Sequence, residues 1–332
     1  MHHQLTRLRR AAGSVRRRAH IALVAQPATS VPRPATWTDR LERLLTENII
    51  PFWALRTPGG PDGYPELFDD GGEVIPSRSR HIRTQARTLW VHSQLLGSAY
   101  GSTLNEEAAR RGFDFIEGHF WDQRHGGFHS RLPLDGDAHA KHFYDHLMAL
   151  DAANHFHRAT GNQAAERMVA DVLEILDKRF RDDGDGYIEG YATDWSPITH
   201  TASLLVKDRS HKTAASHINA LNVLTSVQES TAANLEPELR MLLDIVDRRA
   251  VLPKAPMMGE IFTRDWSAVV GSPTVSYGHD LERVWMARTA RELIGARPHS
   301  YEPVFDEVVR WGWDRGHGGF YFQGKPGRPA GA

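Results

Sequence analysis

The chain has no cysteine. Disulfides, thiolate metal sites and thiol nucleophiles are therefore excluded, and the absence fits a reducing, cytoplasmic setting. No run approaches the roughly 20 consecutive apolar residues of a membrane-spanning helix, so no membrane partner is expected. An excess of one charge is lacking too: 40 Lys+Arg against 41 Asp+Glu leave a net charge of -1. Without a broad basic field, nucleic acid is not an expected partner. Strand signals are few and short. One acidic run, Asp182-Asp183-Gly184-Asp185, lacks the distal Glu of an EF-hand loop. It reads as a structural turn, and no metal site is expected.

What is present is helix. Of 332 residues, 40% are hydrophobic, and 19 are histidine. Residues 1–35 carry Arg7, Arg9, Arg10, Arg16, Arg17 and Arg18 and no acid. The apolar patch Ile21–Ala25 is too short for an export-signal core, so this segment reads as a disordered basic tail. One domain is expected over 36–325, with a flexible end at 326–332. Thr38 suits an N-cap for a helix through Ile49, ended by Pro51-Phe52-Trp53. Further helices are expected around Gln85–Leu96, Asn105–Gly118, Lys141–Thr160 (with Gly161 as C-cap), Ala164–Phe180, Ala214–Ser230, Pro237–Arg249, Asp280–Ile294 and Pro303–Trp313.

A pattern recurs between helices. It reads Trp121-Asp122…Gly126-Gly127-Phe128, then Arg181-Asp182…Asp185-Gly186-Tyr187, then Trp313-Asp314…Gly318-Gly319-Phe320. The first interval is about 60 residues and the second about twice that. Self-similarity at this period implies stacked supersecondary units. Each unit here is a helical hairpin with a short turn, and a ring of them is an all-α, α/α toroid whose inner helices line a cavity.

Polar residues on otherwise apolar helices mark candidate chemistry. Arg87 and Trp90 share a helix face at i, i+3. Tyr144-Asp145-His146 opens an apolar run. His217, Asn219 and Asn222 interrupt another. His279 and Glu282 also fall at i, i+3, where a carboxylate can orient an imidazole and raise its pKa. Taken alone, His-x-x-Glu suits a capped or packed helix start as well as proton transfer.

Together these residues resemble the N-acylglucosamine 2-epimerase superfamily. The resemblance is carried by Gln85-Ala86-Arg87-Thr88-Leu89-Trp90, Lys141-His142-Phe143-Tyr144-Asp145-His146, Gly186-Tyr187-Ile188-Glu189 with Asp194-Trp195, Ser276-Tyr277-Gly278-His279-Asp280-Leu281-Glu282, and Trp311-Gly312-Trp313-Asp314 with Gly318-Gly319-Phe320-Tyr321. It runs from about Thr38 to Phe322. It implies an (α/α)6 barrel, a small-molecule sugar as partner, no cofactor, and metal-free proton transfer at C2 of an open-chain aldose. By carry-over His279 is the base, Glu282 its orienter and Arg87 the enediolate partner. Trp90, Tyr144 and His146 shape the pocket, with His217 and Asn219 also against substrate.

Two departures from the family pattern stand out. Asn219 and Asn222 occupy positions where the family carries His and Glu. Family members also continue past the Gly-Gly-Phe-Tyr turn into a last inner helix bearing a second histidine. The expected ring therefore lacks its last hairpin, which predicts an exposed apolar flank covered by a homodimer or a filling partner. Two rivals follow: a sugar-binding or scaffolding relative without turnover, and an (α/α)6 glycoside hydrolase or lyase. The hydrolase requires two carboxylates across the scissile bond, whereas only Glu282 is a good inner-face candidate.

Overall fold

The computed structural model describes residues 36–133, 140–198, 211–269, 274–328 and 330. The chain divides into two units, Met1–Ile49 and Ile50–Ala332. In the first, Thr36 caps helix α1 (Trp37–Leu44) through a capping box with Asp39, and a π-helical turn, Leu45–Ile49, follows. The second opens with α2 (Ile50–Arg56). Pro51 was expected to end a helix, yet it is the second residue of α2, directly after the π-helical turn.

Among the described residues eight further α-helices follow: α3 (Ile82–Leu96), α4 (Thr103–Phe120), α5 (Phe143–Thr160), α6 (Gln163–Ile175), α7 (Ala214–Ser230), α8 (Glu236–Asp244), α9 (Tyr277–Leu293) and α10 (Glu302–Gly312). They pair as hairpins, α3 with α4, α5 with α6, α7 with α8, and α9 with α10. The odd members also pack side by side, α3 on α5, α5 on α7 and α7 on α9. These are the inner helices, and their sequences show why. From Phe143 to Phe156 every residue of α5 is buried except Asp151, as suits a helix with neighbours on nearly every side. The outer α6 instead buries a single stripe, Ala165, Met168, Val169 and Val172. Ser102, Asn162, Thr213 and Ser276 cap helix starts with their side chains. Gly161 ends α5 in the left-handed conformation at φ 71. Among the described residues no helix is long and apolar enough to cross a membrane.

A turn follows each of the outer helices α4, α6, α8 and α10. Antiparallel bridges close it at Trp121 and Phe128, Arg181 and Tyr187, Val251 and Met258, and Trp313 and Phe320. The third turn has Leu252 where the others have Asp, and Met257-Met258 where they have Gly-aromatic. Its missing signature is why the interval read from sequence doubles.

Each filled turn is fastened to the next inner helix by the same hydrogen bond. A turn N–H donates to the fourth residue of that helix. The bonds are Tyr64 N to Gln85 Oε1 at 2.7 Å, Phe128 N to His146 Nε2 at 2.9 Å, Tyr187 N to His217 Nε2 at 3.0 Å, and Met258 N to Asp280 Oδ1 at 3.1 Å. Glycine precedes the two histidine-bound residues because φ is positive there and a Cβ would meet the imidazole, 2.7 Å away at Gly127 and 2.6 Å at Gly186. The shorter Asp280 reaches its turn with Met257 in place of glycine.

Two of these rungs carry a buried ion pair. Lys141 Nζ lies 2.8 Å from Asp122 Oδ2, and Lys212 Nζ lies 2.8 Å from Asp182 Oδ2. Trp195 and Trp266 cover the two ammonium groups. Burial alone would raise the Asp122 carboxyl, yet Lys141 and the Arg124 and His125 amides draw it well below the ordinary range. Asp182 also binds Arg264. The third rung dispenses with the pair. Leu252 and the fully buried Val275 stand at the corresponding positions.

That natural replacement generates a stability prediction. Lys141→Ala strands the Asp122 carboxylate and is expected to cost about 3–5 kcal/mol in urea unfolding. Replacing both partners, Asp122→Leu with Lys141→Val, is expected to recover most of that loss. The histidine rungs generate a second prediction. Burial pushes the His146 imidazole down to about 4, against the pull of the His142 carbonyl. Between pH 6.5 and 4 the unfolded chain binds a proton that the folded chain refuses. The rung's stability is therefore complete above about pH 6.5 and lost as pH falls. His146→Gln supplies the same acceptor without titrating, as Gln85 does. The wild type is expected to lose about 2 kcal/mol more than this variant between pH 7 and 5.

Candidate active site

Counting from the first helical residue, positions two, six, nine and thirteen lie on one face of a helix. On the inner helices that face is the accessible one. On α5 it holds Tyr144, Met148, Asp151 and His155, and on α7 it holds Ala215, Asn219, Asn222 and Ser226. These are the more exposed residues of two otherwise buried helices. On α3 the same positions are Arg83, Arg87, Trp90 and Gln94, and on α9 they are Gly278, Glu282, Trp285 and Thr289. Contacts between α3 and α5 join two of these stripes. The Trp90 and His155 rings lie 5.6 Å apart, and both Arg83 and Arg87 sit over the Tyr144 ring. Arg87, Met148, Asn219 and Glu282 thus share the sixth position on four successive inner helices.

Arg87 donates to the Tyr144 hydroxyl at 2.5 Å. Arg83 donates to Asp145 at 3.0 Å. Arg83 was not singled out from sequence, although it stands four residues before Arg87 and therefore on its face. The result is a guanidinium group, Arg87, exposed on the stripe and held by a phenol oxygen.

His279 is the third residue of α9. The Ser276 hydroxyl accepts its N–H at the helix cap. Its Nδ1 lies 3.2 Å from Glu260 Oε1, which leaves Nε2 with no protein partner among the described residues. The hydrogen bond to Glu260 raises the His279 pKa, burial opposes it, and the charges of Glu260, Glu282 and Asp280 reinforce it. Glu282 was expected to orient this histidine. It acts on it through charge alone, while Glu260 makes the hydrogen bond. A helical i, i+3 relation puts two side chains on one side without making them touch. The signal that could have found Glu260 is the repeat: it stands two residues past its turn, as Glu189 does after Tyr187. Glu189 there accepts from Thr213 and Ser216 at the start of α7.

Of the residues expected against substrate, Trp90, Tyr144 and Asn219 lie on the accessible stripe with Arg87 and Glu282. Asn219 donates to the Ala215 carbonyl at 2.8 Å. His146 and His217 do not lie there, which corrects the sequence expectation. Both are fourth residues, and both are fully buried. Each donates from Nδ1 to a backbone carbonyl, His142 or Thr213, at 2.7 Å, and accepts at Nε2 from its turn. With both nitrogens committed, neither can meet a ligand.

The arrangement combines an imidazole with one free nitrogen and a carboxylate behind it, a second carboxylate, and a guanidinium–phenol pair. An imidazole of this kind can take up a proton, and a guanidinium can receive negative charge.

Comparison with known proteins agrees with this description. The sequence profile of the N-acylglucosamine 2-epimerase (GlcNAc 2-epimerase) family matches residues 63–328. A cellobiose 2-epimerase of Bacteroides fragilis is 26% identical over 268 residues, 77% of this chain and 66% of the relative. The chain thus spans about two thirds of the length of the curated relatives it matches. The solved structure of a cellobiose 2-epimerase from Spirochaeta thermophila superposes with a TM-score of 0.75 at 23% identity, covering 86% of this chain and 72% of that one. A D-mannose isomerase superposes with a TM-score of 0.73 at 19% identity, covering 90% and 76%. The fold is therefore that of the (α/α)6 barrels.

Proposed function

The chain belongs to the N-acylglucosamine 2-epimerase family, and from that premise we propose that it transfers a proton at C2 of an open-chain aldose. The observation that carries this reading is His279, tied through Nδ1 to Glu260 at 3.2 Å with Nε2 unpartnered among the described residues. Opening of the sugar ring exposes the C1 carbonyl, which acidifies the C2 hydrogen. His279 Nε2 takes that proton. The C–H electrons form the C1–C2 double bond, and the carbonyl π electrons move onto O1. Arg87, held by Tyr144, receives the enediolate charge. Glu282 is placed for a substrate hydroxyl, and Trp90 for the face of a sugar ring.

Two products diverge from the enediolate. Proton return to C1, with the O2 proton passing to O1, gives the ketose and needs one base. Return to C2 from the opposite face gives the epimer and needs a second acid–base group. Asn219, at the same level as Glu282, does not titrate. The named residues therefore provide for the isomerase branch, and the epimerase branch needs a further donor.

The test is proton exchange. In deuterium oxide, mannose, glucose or cellobiose is expected to gain deuterium at C2, read by NMR, with the ketose or epimer identifying the branch. Absence of exchange with every aldose, alongside measurable sugar binding, would leave a sugar-binding relative without turnover. His279→Ala is expected to cut exchange about 10²–10⁴-fold, and Arg87→Met about 10²–10³-fold. The base acts when neutral, and Glu260 raises its pKa. The rate is therefore expected to climb with pH through a value above 6.5. Glu260→Gln should lower the plateau and move that climb to lower pH. An unmoved pH profile would remove Glu260 from its positioning role.

A further inference from the structure

The ninth residues of the inner helices form a belt whose hydrogen bonds are unspent. They are Trp90 on α3, Asp151 on α5, Asn222 on α7 and Trp285 on α9. At the levels on either side the polar side chains are mostly committed to protein. Arg83, Arg87, Tyr144 and Asn219 hydrogen-bond at the second and sixth positions, and Ser226 and Thr289 at the thirteenth. In the belt, Trp90 Nε1 and Asp151 Oδ1 are buried with no hydrogen-bond partner among the described residues. The Asn222 carboxamide and the Trp285 indole have none there either.

Asp151 is the charged member of the belt. His155 Nδ1 stands 3.2 Å from its Oδ1, but Nδ1 donates to the Asp151 carbonyl at 3.0 Å. A carbonyl can only accept, so the one hydrogen on Nδ1 is spent there. A carboxylate oxygen left without a donor is costly. The Asp151 side chain keeps 15% of its surface exposed, and rotation about Cβ–Cγ is soft, so the oxygen can be turned to the open side of the stripe. The Trp90 indole packs on the same His155 ring, 5.6 Å away. A spare donor and a spare acceptor against one ring are answered together by a group that both accepts and donates, which a hydroxyl does. An anion would suit the indole alone, and the carboxylate would repel it.

The geometry points to this belt as the seat of the C6 end of the aldose, with Asp151 as the residue that reads a free 6-hydroxyl. The direction in which the sugar lies rests on the C2 reading above. His279 and Arg87 take C2 and O1 at the third and sixth positions of their helices. The ninth position lies three residues further along, about 4.5 Å at the rise of an α-helix, and a hexose extended from C2 reaches that far with its last hydroxyl. Asp151 accepts from O6, and Trp90 Nε1 donates to it. Asn222 offers a donor and an acceptor to the neighbouring hydroxyl. A 6-phosphate would set negative charge against the carboxylate and be refused.

The test is a binding cycle on His279→Ala, which holds the sugar without turnover. Glucose, mannose, their 6-deoxy analogues and their 6-phosphates are titrated and followed by NMR. Loss of the 6-hydroxyl is expected to weaken binding about tenfold, the loss of one charged hydrogen bond. Asp151→Ala should weaken the parent hexose by a similar factor and the 6-deoxy analogue hardly at all, so the two deletions are not additive. Asp151→Asn, which keeps the shape, should recover part of the affinity and lessen the rejection of the 6-phosphate. With His279 in place, Asp151→Ala should raise KM and leave kcat nearly unchanged, a split that a merely structural role would not give. Equal binding of hexose and 6-deoxy analogue would mean that water satisfies Asp151, and would overturn the inference. Additive losses, a 6-phosphate bound as tightly as the hexose, or no binding of either hexose would do the same. Deuterium exchange at C2 of the wild type separates the two readings. Exchange without coupling at Asp151 sinks the 6-hydroxyl assignment alone, whereas coupling without exchange leaves it standing and sinks proton transfer.

Discussion

Every filled turn presents a backbone N–H that has lost its contact with water and must find an acceptor. That requirement governs the second unit. A buried, unpaired N–H is costly enough that native chains rarely tolerate it, so each inner helix must bring a suitable side chain to one place, four residues from its start. Glutamine, histidine, histidine and aspartate perform this task in succession. With the fourth residue pinned to the turn, the helix cannot rotate or slide. The second, sixth and ninth residues then have to face the opposite way. The accessible stripe of Arg87, Tyr144, Asn219 and Glu282 is thus a geometric consequence of hydrogen bonds made on the other side of the same helices.

The same residue type serves opposite ends under this constraint. His146 and His217 sit where burial removes solvation and where one carbonyl and one N–H consume both nitrogens. They stay neutral because the charged form would forfeit the acceptor. His279 lies one residue nearer its helix start, partly open to solvent, with Glu260 behind it. A single step along the helix separates a fastener from a candidate base.

This explains what could and could not be read from the residues in order. The helices were legible because their apolar spacing and caps are local: α7 begins at Ala214 and ends at Ser230, as its pattern indicates. The hairpin repeat was legible wherever Asp-Gly or Gly-Gly marked a turn. It vanished at Val251–Met258, where Leu252 and Val275 replace the ion pair. Arg87, Trp90, Tyr144, Asn219 and Glu282 are conspicuous as unusual residues on apolar helices, and they lie on the accessible stripe. His146 and His217 were conspicuous for the same reason, yet face the turns. Sequence shows that a residue is unusual for its helix, and only the pinned rotation shows which way it points. Glu260 escaped notice because it lies in a connection, 19 residues from the histidine it holds.

The rungs also bear on how such a chain assembles. Each joins residues that are close along the chain, separated by 21, 18, 30 and 22 positions. No rung waits for distant ends to meet, so the loop-closure entropy of each is small. A hairpin can dock on its predecessor as soon as it is made, and the fold can grow from either side of any formed pair, in the manner of a linear array. Growth of this kind has a natural order but no privileged nucleus. Its weakest members are those at the margins, which have a neighbour on one side alone.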